Sequence, residues 1–187
     1  MRIVGGKYRG RNITALPGRD IRPTADRVRE AIFNILEHGE GYAGPVGARV
    51  LDAFAGTGAL GLEALSRGAS SVTFMDTDTK PSQVNIDALD AGTGSNLIRA
   101  DCLSSPRATE QCDLIFLDPP YNKGLSAPAL EALAAAGWIA VNASCVIELA
   151  AQEEFQPPAG FAVMEERRYG AARVVFLNHS QEWAFAP

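Results

Sequence analysis

Short apolar runs bounded by polar residues recur along the chain and predict strands that alternate with helices. Runs of this kind are typical of strands buried on both faces of a parallel sheet. A last pair of runs, 161–168 and 173–177, predicts a closing hairpin. The other predicted strands are 48–52, 70–76, 96–100, 112–118 and 144–148. This alternation indicates an α/β fold with a doubly wound sheet that ends antiparallel.

Helical periodicity fills the intervals between these strands. The stretch RPTADRVREAIFNIL has apolar residues at helical spacing, and Thr24 is in position to cap this helix. One further helix is predicted after the glycine-rich stretch at 54–61, and two more are predicted at 81–89 and 126–136. The chain of 187 residues is long enough for one such domain with a small appendage.

Positive charge is concentrated at the start of the chain. The formal net charge is −5, yet residues 1–30 hold eight Lys or Arg against three acids, whereas the remainder holds nine against nineteen. Residues 1–16 predict two short strands joined by a basic turn from Lys7 to Arg11, a small hairpin suited to phosphate contacts. The distribution predicts a basic edge that faces a polyanion; a merely solvated basic tail is the alternative.

Three arginines lie around the first turns of the first predicted helix: Arg22, Arg27 and Arg29. Cations do not complement the dipole at a helix N-terminus, which favours anions. Their placement therefore suggests an external anion, such as a phosphate or a cofactor carboxylate. A pair between Asp26 and Arg29 within the helix would explain part of the pattern instead.

The stretch FAGTGALG follows the first main strand, and its Gly56, Gly58 and Gly61 form a GxGxxG pattern. This pattern alone fits several cofactors or a plain tight turn. However, Asp52 precedes the loop, where it would repel a pyrophosphate and attract a ligand amino group. Asp76 ends the next strand, about 20 residues after the loop, where it could accept from both ribose hydroxyls. Together these features suit S-adenosylmethionine, which has a ribose and an α-amino group but no phosphate.

Two more acids follow later strands. Asp101 is placed to meet an adenine amino group, although a helix N-cap is an equally good interpretation. The run LIFL leads directly into DPPY, Asp118 to Tyr121. Because prolines cannot continue a strand ladder, the strand must stop there. It presents a carboxylate, a rigid turn and an aromatic ring at the edge where open α/β sheets bind ligands.

The DPPY segment could be only a turn, but it also fits one chemistry. An exocyclic amine of a nucleobase is a poor nucleophile because its lone pair is delocalised into the ring. A carboxylate from Asp118 and the carbonyl of Pro119, both accepting from that amine, would favour a localised lone pair. The ring of Tyr121 could stack on the base, an interaction worth about 1–3 kcal/mol.

Composition excludes several other classes of protein. No apolar run reaches the roughly 18 residues that a membrane helix needs, and the start of the chain lacks the apolar region of a secretory signal. The three cysteines have no metal-binding or paired spacing, which predicts buried thiols in a reducing compartment, the cytoplasm. We expect no metal and no membrane partner.

With these motifs placed, nearly the whole chain resembles the RsmD-type family of bacterial 16S ribosomal RNA guanine-N2 methyltransferases. The resemblance rests on RIVGGKYRGR, RPTADRVREAIFNIL, LDAFAGTGALGLEALSRGA and FLDPPYNKGL. It implies a Rossmann-like class I methyltransferase fold with a seven-stranded sheet. It also implies two parts, a basic arm over 1–22 and an S-adenosylmethionine-dependent domain over 23–187. The implied substrate is 16S ribosomal RNA in the small subunit or its assembly intermediate.

The resemblance also implies roles for particular residues. Asp118, Pro119, Pro120 and Tyr121 would orient the guanine N2 for attack on the sulfonium methyl group. The residues implied at the cofactor are Asp52, Phe54, Gly56, Thr57, Gly58, Asp76 and Asp101. The residues expected to contact RNA are Lys7, Tyr8, Arg9, Arg11, Arg22 and Arg27.

Other functions share some of these motifs. An adenine-N6 methyltransferase would have the glycine loop and DPPY, but a DNA enzyme would need a target-recognition domain for which the chain has no room. A protein-glutamine methyltransferase usually has Asn at the position of Asp118. A non-catalytic RNA-binding assembly factor would not need the intact loop, acids and DPPY. A NAD-dependent oxidoreductase is disfavoured by Asp52 and by the lack of a plausible hydride-transfer pair.

Overall fold

A computed structural model describes residues 1–14 and 23–180, with no side chains described at 23–25. Within these ranges the chain forms one seven-stranded sheet of order β3-β2-β1-β4-β5-β7-β6. The strands are β1 (Arg49–Ala53), β2 (Ser71–Asp76), β3 (Ser95–Arg99), β4 (Cys112–Leu117), β5 (Ile139–Ala150), β6 (Phe161–Tyr169) and β7 (Ala172–His179). The α-helices of the same ranges are α1 (Pro23–His38), α2 (Ala59–Ser66), α3 (Lys80–Leu89) and α4 (Ser126–Ala135).

The first five strands are parallel, and β7 runs antiparallel to both β5 and β6. This arrangement confirms the doubly wound sheet that ends antiparallel. The order reverses between β1 and β4, because β2 and β3 extend the sheet on one side and the later strands extend it on the other. In a sheet of this kind, the crevice at the reversal is where ligands bind.

Alternate residues of the central strands supply two separate cores. On one face Val50 and Phe116 pack in a cluster that includes residues of α1, α2 and α3. On the other face Leu51 and Ile115 pack in a cluster that includes residues of α4. A strand with apolar residues on both sides must be covered on both sides, which is why the apolar runs predicted the layered architecture correctly.

Most predicted boundaries lie within two residues of the observed ones, and two differences have a clear physical cause. Helix α1 begins at Pro23, so Thr24 lies in its first turn instead of capping it; proline is favoured at the first helical position because it has no amide hydrogen to leave unpaired. Strand β5 begins at Ile139, five residues before the predicted start at 144. Its early apolar residues, Ile139 to Val141, are separated from the later part by the exposed Asn142, which has a φ angle of 61°, so no continuous apolar run marks the start of the strand.

The N-terminal segment forms less strand than predicted. Its two arms meet in a single antiparallel bridge between Arg2 and Asn12, and a short 3-10 turn covers Gly6–Tyr8. The segment nevertheless packs closely on the domain, because Ile3 and Ile13 are buried in the same core as α1 and α2. The predicted boundary at residue 22 lies outside the described residues and stays a prediction.

A buried carboxylate fixes this N-terminal segment to α2. Glu63 is fully buried, and it accepts hydrogen bonds from the main-chain amides of Val4 at 2.9 Å and Gly5 at 2.8 Å. The guanidinium groups of Arg29 and Arg67 contact the same carboxylate at 3.3 and 2.8 Å. A buried charge is tolerated when it is paired and hydrogen-bonded in this way.

Candidate active site at the end of strands one and four

The two motifs singled out in the sequence leave the sheet side by side. Strands β1 and β4 are hydrogen-bonded neighbours, with Ala53 opposite Leu117. The amide of Asp118, the next residue, lies 3.5 Å from the carbonyl oxygen of Ala53. The glycine loop and the DPPY turn therefore start at adjacent points, at the position where the strand order reverses.

The glycine loop is shaped by backbone conformations that most residues avoid. Phe54, Gly56 and Gly58 have φ angles of 59°, 53° and 75°, in the left-handed region that glycine adopts at little cost. The amide of Gly58 donates to the carbonyl of Ala55 at 2.7 Å, which closes the turn before α2 begins. The chain thus turns sharply at the edge of the sheet, where Phe54 and Gly56 are half-buried and Gly58 is buried.

The third glycine of the motif permits close packing. A Cβ atom on Gly61 would lie 2.4 Å from a ring carbon of Phe74 and 2.7 Å from a methyl carbon of Val72. Real Cβ atoms do not make such short contacts, so only glycine lets the first turn of α2 rest on β2. This is the role that the third glycine has in dinucleotide-binding folds.

Two buried polar side chains of helix α3 donate hydrogen bonds to the main chain of the glycine loop. The hydroxyl of Ser82 donates to the carbonyl of Gly56 at 2.9 Å, and the amide of Asn85 donates to the carbonyl of Thr57 at 2.9 Å. Both side chains are almost completely buried. Sequence reasoning missed these two residues, although their spacing of three places them on one face of the helix.

Asp52 and Asp76 flank the loop as predicted, and each also binds to the protein itself. Asp52 is 2% exposed, and its carboxylate accepts from the amide of Gly61 at 2.8 Å. Burial raises the pKa of Asp52 to about 7, helped by the negative charge of Asp76 and opposed by the bond from Gly61. The half-buried carboxylate of Asp76 accepts from the amide of Gly56 at 2.9 Å.

Asp101 follows β3 and is exposed. One carboxylate oxygen accepts from the amide of Leu103 at 2.9 Å and caps a short 3-10 turn over Cys102–Ser104. The capping role that the sequence left open is therefore present. A contact with an adenine stays a prediction.

The DPPY turn is half-buried at Asp118, buried at Pro119 and exposed at Pro120. The ring of Tyr121 is 41% exposed, and its hydroxyl donates to the carboxylate of Glu148 at the end of β5. The turn thus offers an acid and an accessible ring at the same edge as the glycine loop.

A second acid fixes the residues after the turn. The carboxylate of Glu153 accepts from the amide of Asn122 at 2.8 Å, while Asn122 has a φ angle of 58°. No sequence pattern marks Glu148 or Glu153, because each lies about 30 residues after the residue it binds.

The predicted basic contacts divide into two regions. Lys7, Arg9 and Arg11 are exposed, and Tyr8 is half-buried with the Lys7 ammonium 4.6 Å from its ring centroid. The amide of Tyr8 donates to Ser66 at the C-terminal end of α2. Since an eight-residue helix is about 12 Å long, this basic turn lies well away from the glycine loop.

The remaining basic candidates belong to the first helix and its approach. Arg27 is exposed on α1, and Arg22 lies outside the described residues. The external anion suggested for Arg29 is wrong. Its guanidinium is 4% exposed and pairs with Asp26 at 2.9 Å and Glu63 at 3.3 Å, so its anions are internal. The pair with Asp26 was the alternative that the sequence had offered.

The residues at this edge fit S-adenosylmethionine by the chemistry of their donors and acceptors. Gly56, whose atoms are nearly all main-chain atoms, is half-buried, so the loop keeps some main-chain surface accessible to a ligand. The buried carboxylate of Asp52 has a pKa raised to about 7, so a nearby cation would stabilise its charged form. Asp76 and Asp101 suit hydroxyl and amino groups, and the acids disfavour a pyrophosphate. Among the described residues, no cluster of three or more His, Cys, Asp or Glu could hold a metal ion.

The cysteines among the described residues are buried thiols and not exposed nucleophiles. Cys102, Cys112 and Cys145 are buried free thiols, and burial raises the pKa of each. Thiols of this kind are protonated and unreactive at neutral pH. Among the helices of 1–14 and 23–180, none combines the length and apolar character needed to cross a membrane.

Comparison with known sequences places the chain in a family. A family model described as Conserved hypothetical protein 95 matches residues 1–178. The protein named ribosomal RNA small subunit methyltransferase D of Escherichia coli K12 is 35% identical over 178 residues, which cover 91% of this chain and 85% of that protein. The protein of the same name in Haemophilus influenzae is 34% identical over 177 residues, which cover 91% and 89%.

Solved structures also resemble this chain over most of its length. The putative methyltransferase yhhF of Escherichia coli superposes with a TM-score of 0.81 at 32% identity, over 96% of this chain and 98% of that one. The magnesium protoporphyrin IX methyltransferase of Synechocystis, solved with bound SAM, shares the fold with a TM-score of 0.64 at 16% identity, over 90% and 87%. The predicted class I methyltransferase fold is therefore confirmed. The chain belongs to the Conserved hypothetical protein 95 family, the family of the ribosomal RNA small subunit methyltransferase D proteins.

Proposed function

We propose that this protein is an enzyme that transfers a methyl group from S-adenosylmethionine to the exocyclic N2 of a guanine in 16S ribosomal RNA. The substrate is the RNA of the small ribosomal subunit or of its assembly intermediate. The observation that carries this proposal is the adjacency of the glycine loop and the DPPY turn, joined at Ala53 and Asp118. The names of the relatives support the substrate class, since those proteins are named for the RNA of the small subunit.

The acids around the loop would hold the methyl donor. Asp52 would take its amino group, Asp76 its ribose hydroxyls and Asp101 its adenine, while Phe54, Gly56, Thr57 and Gly58 would line the methionine end. S-adenosylmethionine would supply an electrophilic methyl group bound to a sulfonium. The protein would contribute the position of that group and an acidic surrounding in which positive charge is stable.

The DPPY turn would prepare the nucleophile. Asp118 and the carbonyl of Pro119 would accept from the guanine amine, while the fixed φ of Pro120 keeps the turn rigid. The exposed ring of Tyr121 offers a stacking surface for a base taken out of its helix, which costs a few kcal/mol. As positive charge moves onto the nitrogen, Asp118 would stabilise it, and the amine proton is lost during or after transfer.

The basic residues would bind the phosphates of the RNA. Lys7, Arg9, Arg11 and Arg27 are exposed, and phosphate contacts of this kind position a nucleic acid without reading its sequence. Because the basic turn lies at the far end of α2, it would contact a part of the RNA other than the target base. Arg22 and Tyr8 complete the proposed RNA contacts.

The test is transfer of labelled methyl from S-adenosylmethionine to three substrates, with the modified base mapped. The substrates are small subunits lacking the modification, naked 16S RNA and duplex DNA. Label as N2-methylguanine at one site in the subunits is the expected result. Label on adenine of DNA, or no label on any substrate, would overturn the proposal.

A further inference from the structure

Asn85 connects two parts of the molecule that the proposed function keeps separate. Its side chain is 1% exposed and lies on α3 between the end of the N-terminal segment and the glycine loop. The amide oxygen accepts from the main-chain amide of Thr14 at 2.8 Å. The amide nitrogen donates to the carbonyl of Thr14 at 3.1 Å and to the carbonyl of Thr57 at 2.9 Å.

The three contacts occupy the amide oxygen and both amide hydrogens of the Asn85 side chain. Thr14 pairs with it through both of its main-chain groups, as one strand pairs with another, and Thr57 takes the second amide hydrogen. The Asn85 side chain and its bond to Thr57 are buried, where an unpaired partner would cost free energy, while the two bonds to Thr14 are partly buried. One orientation of the Asn85 amide therefore makes the hydrogen bonds to Thr14 and the hydrogen bond to Thr57 at the same time.

We infer that Asn85 is a positioning residue through which the docked N-terminal segment holds the cofactor loop in shape. This rests on the proposed function, because it assumes that the loop binds S-adenosylmethionine. Undocking of Thr14 frees the Asn85 amide to rotate, and the Thr57 carbonyl then loses its fixed partner. Coupling of this kind is reciprocal, so cofactor binding also stabilises the docked segment.

The test uses a pair of variants at Thr14, a residue that does not belong to the loop. Thr14→Pro removes the amide hydrogen that Asn85 accepts, whereas Thr14→Ala keeps both main-chain groups and changes only an exposed side chain. Calorimetry with S-adenosylhomocysteine measures the affinity of the loop without RNA and without turnover. We expect Thr14→Pro to weaken binding by about fivefold or more, and Thr14→Ala to bind as the wild type does.

A purely structural role for the segment would give a different pattern. In that case Thr14→Pro would lower the melting temperature, but well below that temperature it would bind S-adenosylhomocysteine with wild-type affinity, which would overturn the inference. Kinetics add a second readout: with methyl transfer established, we expect a raised KM for the donor and a kcat within twofold of wild type, since the DPPY turn is untouched.

Amide exchange in the wild-type protein tests the reciprocal effect without any variant. Addition of S-adenosylhomocysteine should slow exchange at the amide of Thr14 as well as in the loop. Protection of the loop with no change at Thr14 would overturn the inference and leave the proposed function standing. A wild-type protein that shows no binding at all would overturn both.

Discussion

The carboxylate of Asp52 accepts a 2.8 Å hydrogen bond from the amide of Gly61, in the first turn of α2. Positive charge at the start of a helix favours an acid there, yet the site is so enclosed that burial raises the pKa of Asp52 to about 7. The ionisation of Asp52 should therefore respond both to pH and to a cationic ligand.

The pKa of Asp52 predicts how stability depends on pH. In the unfolded chain this carboxyl has an ordinary pKa of 3.8, so between about pH 4 and pH 7 the folded state binds more protons than the unfolded state. Its contribution to the free energy of unfolding therefore falls as pH rises through this window, by at most roughly 1.4 kcal/mol per pH unit. Asp52→Asn should remove that slope, which urea denaturation at pH 5 and pH 7.5 would measure. An unchanged difference between the two pH values would contradict the burial of a carboxyl that protonates in this range.

Asp118→Ala separates chemistry from cofactor binding. The variant lacks the carboxylate proposed to accept from the guanine amine, so we expect methyl transfer to fall by about a hundredfold or more, in the range of general acid–base effects. S-adenosylhomocysteine should still bind, because Asp118 lies on the DPPY turn and not on the glycine loop. The matched control is Asp87→Ala, which removes an exposed carboxylate on α3. Near-normal transfer by Asp118→Ala would refute its role.

Asp76→Ala should show the opposite pattern. Its carboxylate accepts from the amide of Gly56 and is proposed to bind the ribose hydroxyls. We expect the affinity for S-adenosylhomocysteine to drop by about tenfold or more, the loss of one or two hydrogen bonds to a charged group. Calorimetry would measure this, and an unchanged affinity would count against the ribose role.

Glu148 should act through Tyr121. The hydroxyl of Tyr121 donates to Glu148, which holds the ring at one orientation on the exposed edge. Tyr121→Phe and Glu148→Ala remove the two sides of this bond, so each should lower kcat/KM for RNA by roughly tenfold, the worth of a hydrogen bond to a charged group. The double variant should be no worse than either single one, since both lose the same interaction. Glu148→Gln keeps an acceptor and serves as the control; additive losses would show that the two residues act independently.

Gly61→Ala should destabilise the fold, because its new methyl group would meet Phe74 and Val72 at distances that no real contact allows. Overpacking of this kind costs about 1–3 kcal/mol. Gly92→Ala is the matched control, since a Cβ there has nothing within 4 Å. The free energies of unfolding in urea would measure both, and equal values for the two variants would contradict the close approach of α2 to β2.

The sequence was most informative where one segment determines its own structure. The run LIFL followed by two prolines predicted β4 and its end, because burial on both faces and the missing amide hydrogens are local properties. The alternation of strands and helices then placed Asp118 and the glycine loop at one edge. The early part of β5 lacks that local pattern, because Asn142 interrupts its apolar residues.

Contacts between distant segments could not be predicted in the same way. The sequence pattern suggests an external anion for Arg29, because the buried Glu63 lies 34 residues away and nothing in the sequence marks it as the counter-ion. Hydrogen bonds from main-chain groups are even harder to predict, since the amides of Val4 and Gly5 have no sequence signature. The same holds for Asn85 and Glu148, whose roles depend on which segments the fold brings together.

The anchorage of Val4 and Gly5 on Glu63 has a consequence for the order of folding. These bonds join residues that are separated by 58 or 59 positions in the sequence. Their acceptor, Glu63, is in place only when α2 has been synthesised and packed on the sheet. Contacts between distant positions form late, because the chain must first lose the entropy of closing a long loop. We therefore expect the residues that are translated first to reach their native contacts late, after the helix that holds them has taken its place.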